Sequence, residues 1–201
     1  SGAPGGAAGD AGRCLALGHA ARARAGNGGD SLLPALGDAL AVLAQDGSSD
    51  SLPVRAAAAQ GFRALLVACA SQEDGGEGPA GVVMETAVPI LVALLSDGPA
   101  EARKPAALAA KTAAKLFPAL TAGAHLAALV PPLLKVVKDP NLQTKLLSER
   151  ALMHVLQIHT RPDTLSEFVA GAAAEDARFV RDYARRVLAR LKADLSDEEE
   201  D

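Results

Sequence analysis

Basic side chains at helical spacing form the pattern in this sequence with the clearest chemical meaning. Within each of two sets, spacings of three, four or seven residues place the side chains on one face of a helix. The sets are Lys104, Lys111 and Lys115, and Arg178, Arg181 and Arg185. Such a row of cations can bind an acidic protein or the phosphates of RNA. The alternative interpretation is a solvated helix face without a partner.

Acids and bases also recur together in a fixed order along the chain. In four places an Asp is followed, after a short turn, by a small or branched residue and then a base. The pairs are Asp46 with Arg55, Asp97 with Arg103, Asp139 with Lys145, and Asp176 with Arg181. Two of them have the same spacing of six residues, which argues against coincidence among common surface charges.

No group of residues has the spacing of a catalytic or metal-binding motif. The histidines are scattered, and the last two, five residues apart, do not share a helical face as a pair of metal ligands would. They are His19, His125, His154 and His159. A phosphate-binding loop and a nucleophile elbow are both missing. We therefore predict no catalytic residue, metal site, cofactor or small-molecule substrate.

The composition indicates which elements carry these side chains. Of the 201 residues 49% are hydrophobic, but none is Trp, one is Tyr and four are Phe, so Ala and Leu must fill the core. Ala is the best helix former, whereas the β-branched and aromatic residues that favour strands are scarce. The composition predicts an all-α fold.

An internal repeat specifies the kind of all-α fold. Residues 88–97 align with residues 130–139 at an offset of 42, within the period of about 40–47 residues typical of HEAT and armadillo units. An earlier copy covers residues 33–46, and a weaker one begins near Leu165. One helix pair cannot bury its apolar stripe alone, so neighbouring pairs must stack. We predict a HEAT/armadillo-like α-solenoid of about four antiparallel helix pairs.

The repeat also divides the chain. We expect a flexible start with a partial leading helix, then the HEAT array, then an acidic disordered tail. These parts cover residues 1–30, 31–193 and 194–201, and the units of the array are roughly 31–76, 79–120, 121–160 and 161–193. A Gly-rich acidic loop is predicted from Ser71 to Gly81. Because the chain opens on Ser1 rather than Met, we expect it to be part of a longer protein.

The repeat gives both charge patterns a predicted role. In HEAT repeats the ordered Asp and base residues form a ladder along the stack, each base reaching acids of its own and the neighbouring turn. Second helices line the concave side of such a solenoid, so the two basic sets would form a concave interaction stripe. Without aromatic residues to stack bases, any RNA contact would be weak and non-specific.

Charge and apolar patterning suggest a compartment. The net charge of −4 is the sum of −5 within residues 1–98, +6 within 99–161, +1 within 162–193 and −6 within 194–201. A basic middle beside an acidic tail favours electrostatic contacts with partners. The two cysteines lie far apart and outside any CxxC spacing, which fits a reducing compartment. The longest apolar stretch, Leu126 to Leu134, is too short to span a bilayer and contains two prolines. We expect a cytoplasmic protein without membrane contact.

The last third of the chain resembles one particular family of HEAT-repeat proteins. The resemblance rests on residues 145–160, residues 179–191 and the acidic end that follows. Its most specific part is the sequence ERALMHVLQ at residues 149–157. The family is the very large HEAT-repeat translational activator of the general amino-acid control pathway, of the general control non-derepressible type.

This resemblance implies a ribosome-associated scaffold in the cytoplasm. Such proteins bind the amino-terminal RWD domain of the kinase that phosphorylates the alpha subunit of initiation factor two, and relay signals from uncharged tRNA or stalled ribosomes to it. The resemblance assigns no binding residue within this chain. One alternative is another HEAT scaffold, of the transport or phosphatase-scaffold type. The other is a HEAT-like enzyme; a bilin lyase has shorter repeats, and an alkylated-base DNA glycosylase needs an aromatic-lined cleft.

Overall fold

The computed structural model describes most of the chain between residues 32 and 157. The described ranges are 32–72, 76–96, 99–122 and 124–157, together with Asp182 and Ala189. Over these residues the chain forms seven helices and no strand. They are α1 (Leu32–Gly47), α2 (Leu52–Ala70), α3 (Glu77–Ser96), α4 (Ala100–Leu116), α5 (Pro118–Thr121), α6 (Ala124–Val136) and α7 (Leu142–Gln157). The predicted leading helix and acidic tail lie outside the described residues, as does the predicted fourth unit apart from Asp182 and Ala189.

The long helices form three antiparallel pairs stacked in two layers. The first helices α1, α3 and α6 pack side by side in one layer, and the second helices α2, α4 and α7 form the other. The short helix α5 packs against α3, α4 and α6 at the connection between two pairs. This all-α, HEAT-like solenoid confirms the predicted fold class.

Burial follows the 42-residue offset between α3 and α6. Leu91 and Leu133, which occupy the same repeat position, are both 0% exposed. Pro89 and Pro131 also correspond, and both are exposed on the outer side of their helices. A proline inside a helix removes one backbone hydrogen bond, and its presence at one position in both copies makes it a repeat feature. The sequence repeat is therefore a structural repeat.

The middle second helix, α4, explains the alanine-rich composition. Because α2 and α7 flank it and α3 lies beneath it, α4 is buried on three sides. Alanine at the buried positions lets the neighbouring backbones approach closely while preserving helix propensity. The buried alanines of α4 are Ala102, Ala106, Ala107, Ala109, Ala110, Ala113 and Ala114.

Helix α3 begins earlier than the sequence predicts. The predicted loop from Ser71 to Gly81 is wrong for residues 77–81, which are helical. Gly76 enters the helix at φ 60°, and its carbonyl accepts the Ala80 N–H at 2.9 Å. The glycines suggest a loop, but an acid and a proline in the first turn also suit a helix start, and burial of Ala80 stabilises it.

By length and composition alone, α3 is also the one helix of the described residues that could cross a membrane. Its residues Val83, Met84, Ala87 and Leu91 are 0% exposed, in the core formed with the helices around it. A core helix passes the same test of length and hydropathy, and one face of α3 is buried against its neighbours.

Candidate interaction surface

One ion pair joins the second and third helix pairs. Arg103 on α4 contacts the carboxylate of Asp139, which follows α6, through its Nη2 and the Oδ2 oxygen. The side chains are 18% and 2% exposed, so the contact is largely withdrawn from water. A buried charge needs a partner of this kind, because desolvation without compensation is costly. The base of one unit thus reaches the acid of the next.

The other oxygen of Asp139 shapes the turn between α6 and α7. Its Oδ1 accepts the Asn141 N–H at 2.8 Å. The Asn141 Oδ1 in turn accepts the Thr144 N–H at 3.1 Å and the Thr144 hydroxyl at 3.2 Å. Side-chain acceptors at this position satisfy backbone donors that the first turn of a helix leaves unpaired. Asp139 therefore stabilises both the turn and the contact between units.

The remaining ladder residues differ in their surroundings. In the first unit Asp46 is 5% exposed, and Arg55 donates from Nη1 to the Ser49 carbonyl at 2.9 Å, across the turn between α1 and α2. In the third unit Lys145 makes no ion pair with any described residue. Asp97, Asp176 and Arg181 lie outside the described residues.

The predicted basic residues of α4 point outward from the second-helix layer. Lys104 and Lys115 are exposed and Lys111 is half-buried. Lys104 donates from Nζ to Gln143 Oε1 of α7 at 2.7 Å. From the other side, Arg63 of α2 donates from Nε to Thr112 Oγ1 of α4 at 3.3 Å. The lysine row of α4 therefore lies between Arg63 of α2 on one side and Gln143 of α7 on the other.

The outward positions of α2, α4 and α7 together form what we call the second-helix face. Each of its residues is exposed or half-buried, whereas the opposite side of each helix is buried. Its members are Ala56, Gln60, Arg63, Val67, Lys104, Leu108, Lys111, Lys115, Leu146, Arg150 and Met153. Five of them are basic and none is acidic. Two acids lie next to these positions: Glu101 is exposed three residues before Lys104, at the start of the α4 row, and Glu149 is half-buried next to Arg150.

Sequence reasoning missed two basic members of this face. Arg63 occupies the repeat position of Lys111 at an offset of 48 residues, and Arg150 occupies that of Leu108 at an offset of 42. Aligning the second helices with each other would have found both. The other predicted set, Arg178, Arg181 and Arg185, lies outside the described residues, and its place relative to the face remains a prediction.

Groups with chemical reactivity are otherwise few in the described part of the chain. Burial raises the pKa of the Cys69 thiol to about 11, so it is protonated at neutral pH and unsuited to nucleophilic chemistry. His125 Nε2 lies 3.9 Å from a carboxylate oxygen of Glu85 on the first-helix layer. No described group of three or more His, Cys, Asp or Glu could hold a metal ion.

The fold and this surface define the class of protein. Antiparallel helix pairs stacked in two layers, with an ion pair joining successive pairs, form a HEAT-repeat scaffold. The profile of the family described as GCN1-like, C-terminal HEAT repeats matches residues 31–167, more than half of the chain. The chain belongs to this family, which confirms the predicted resemblance. Comparisons with curated proteins and with solved structures gave no match.

Proposed function

We propose that this chain is a non-enzymatic, cytoplasmic part of a ribosome-associated activator of the kinase that phosphorylates initiation factor two alpha. The observation that carries the proposal is the family match over residues 31–167. That membership supports a role in translation control during amino-acid starvation. The partners are the ribosome and the amino-terminal RWD domain of the kinase.

The architecture suits a scaffold. Stacked pairs expose a long surface of second helices, and such surfaces bind macromolecules over many weak contacts. The ion pair between Arg103 and Asp139 joins successive helix pairs, so the role of these two side chains is structural. A reactive thiol or carboxylate is not needed for this role, and the buried Cys69 is poorly suited to one.

Co-sedimentation with ribosomes tests the proposal. The tagged chain, expressed in cells, is expected to sediment with ribosomes in a sucrose gradient and to leave those fractions when Mg²⁺ removal dissociates the subunits. It is also expected to capture the RWD domain of the kinase from solution. A control variant, Lys135→Glu at an exposed position of α6, should behave like the unaltered chain because it lies on the first-helix layer. A chain that stays at the top of the gradient and captures no RWD domain would contradict the proposed function.

A further inference from the structure

The second-helix face carries five positive charges for which the described part of the chain supplies no acidic partner. Lys111, Lys115 and Arg150 make no hydrogen bond or ion pair with any described residue. Arg63 and Lys104 donate only to neutral oxygens, those of a threonine and a glutamine. In a chain of net charge −4, this concentration of unpaired cations on one face is not an average property of the surface. We propose that the face binds an acidic, amphipathic α-helix of a partner protein.

The order of side chains along α4 favours a helical partner. Lys104, Leu108, Lys111 and Lys115 follow one another at spacings of four, three and four residues, so they form a single straight row. At a rise of 1.5 Å per residue, the row is roughly 16 Å long, or about three helical turns. A partner helix lying along this row, with acids and one leucine at the same spacings, would oppose each lysine with a carboxylate.

Apolar side chains on the face favour protein over nucleic acid. Leu146 is 44% exposed and Leu108 is half-buried, so a partner can remove apolar area from water there. Leu142, at the start of α7, is 67% exposed beside them. Base-specific binding of single-stranded RNA draws on aromatic side chains on which bases stack, and the face has none. Mixed cations and leucines match an amphipathic acidic helix.

The acidic end of the chain is the competing occupant. Residues 196–201 read SDEEED and supply acids without any apolar side chain. They could oppose the lysines but could not cover Leu108 and Leu146. The proposal deepens the scaffold function above and rests on it, since it assigns a class of protein partner to one surface of the scaffold.

Binding of a designed peptide to the full chain tests the proposal. The probe is a fluorescent helical peptide of about 20 residues, with Glu and Leu at the spacings of the α4 row, and its control has Gln at every Glu. Fluorescence anisotropy at physiological salt should show the Glu peptide binding at least about tenfold more tightly than the Gln peptide. The triple variant Lys104→Glu, Lys111→Glu, Lys115→Glu should lose about tenfold or more of this affinity.

Two further variants test whether apolar contact contributes to the affinity and whether the effect of charge is confined to the second-helix face. Leu146→Gln should weaken the Glu peptide about threefold or more, because it removes apolar contact without changing charge. Lys135→Glu, a single reversal on the opposite layer, should leave the affinity within about twofold. Circular dichroism of each variant should show unchanged helix content, so that loss of binding is not loss of fold.

Three results would overturn the proposal. The first is equal binding of the Glu and Gln peptides. The second is tighter binding of polyuridylate RNA than of the Glu peptide, with no effect of Leu146→Gln on either. The third is peptide binding only after residues 194–201 are deleted, since the occupant would then be the chain's own tail. Peptide binding without ribosome co-sedimentation and without capture of the RWD domain would refute the translation role and leave this surface assignment standing.

Discussion

Among the individual residues, Asp139 stabilises both a local turn and the contact between two helix pairs. One of its oxygens accepts from the turn before α7, and the other contacts Arg103 of the preceding pair. Since its side chain is 2% exposed, the charge depends on these partners for its solvation. A substitution there acts on the turn and on the stacking of units at once.

Asp139→Asn is expected to lower the free energy of unfolding by about 3 kcal/mol, because it leaves Arg103 beside a neutral group while keeping an acceptor for Asn141. Urea denaturation followed by circular dichroism measures the change. Glu85→Gln is the control, since the Glu85 carboxylate is 81% exposed and 3.9 Å from His125. It should change stability by less than about 0.5 kcal/mol. Equal effects of the two substitutions would contradict the structural role of Asp139.

Ser148 is a buried polar residue at a position where the other second helices have alanine. It corresponds to Ala58 and Ala106, all three are 0% exposed, and its hydroxyl has no hydrogen-bond partner among the described residues. Ser148→Ala should therefore raise the free energy of unfolding by about 1 kcal/mol, because an unsatisfied hydroxyl no longer has to be buried. Thermal unfolding measures it. A lower melting temperature for Ser148→Ala would show that the hydroxyl makes a stabilising contact.

Cys69 makes stability depend on pH in an alkaline window. Its pKa is raised by burial from its ordinary value of 9.0 to about 11, so between these values the unfolded chain has lost a proton that the folded chain keeps. The free energy of unfolding then falls as pH rises, by at most about 1.4 kcal/mol per pH unit. Below this window Cys69 is protonated in both states and does not make the free energy of unfolding depend on pH. Urea midpoints from about pH 8 to about pH 10.5 should fall more steeply for the unaltered chain than for Cys69→Ala. Parallel slopes would contradict the raised pKa.

At the scale of the elements, the start of α3 depends on a backbone conformation that only glycine adopts readily. Gly76 has φ 60°, and a Cβ at that position would lie 2.0 Å from the Cys69 carbonyl oxygen. Neither the left-handed conformation nor the contact with backbone can relax without moving the end of α2. Glycine at position 76 is therefore needed where the start of α3 meets the end of α2.

Gly76→Ala should destabilise the chain by about 2 kcal/mol or more. Gly78→Ala, two residues further into the same helix, is the matched control, because a Cβ there meets nothing within 4 Å. It should leave stability unchanged or raise it by up to about 1 kcal/mol through higher helix propensity. Thermal unfolding of both variants measures these changes in stability. An unchanged melting temperature for Gly76→Ala would contradict the structural role of Gly76.

At the scale of the whole molecule, α4 couples the three helix pairs. It packs between α2 and α7, so its buried positions set the distance between one pair and the next. Stability in a repeat stack comes largely from such contacts between neighbours. A change in the size of a buried side chain on α4 therefore alters its packing against both α2 and α7.

Ala110→Leu should lower the free energy of unfolding by about 1–3 kcal/mol, because Ala110 is 0% exposed and the larger side chain forces neighbouring helices apart. Lys115→Leu on the exposed side of α4 adds a leucine to the same helix and should stay within about 0.5 kcal/mol. Denaturant unfolding compares them. If both variants were equally stable, close packing of α4 in the stack would be ruled out.

The sequence by itself determined the helical class and the repeat offset. Lys104, Lys111 and Lys115 could be placed on one outward row, and Leu91 and Leu133 at one repeat position, because helical periodicity is local and shows in the order of residues. The family was predictable for a related reason, since the stretch at residues 149–157 is specific in its residue types.

Only the tertiary structure decided which residues of different helices meet. Arg103 lies six residues after Asp97, but the described ion pair joins it to Asp139 of the next unit. Arg63 joined the basic row of α4 because α2 packs beside α4. Which residues become neighbours depends on how whole helices stack. That stacking results from many contacts across the layers, and no local sequence pattern contains this information.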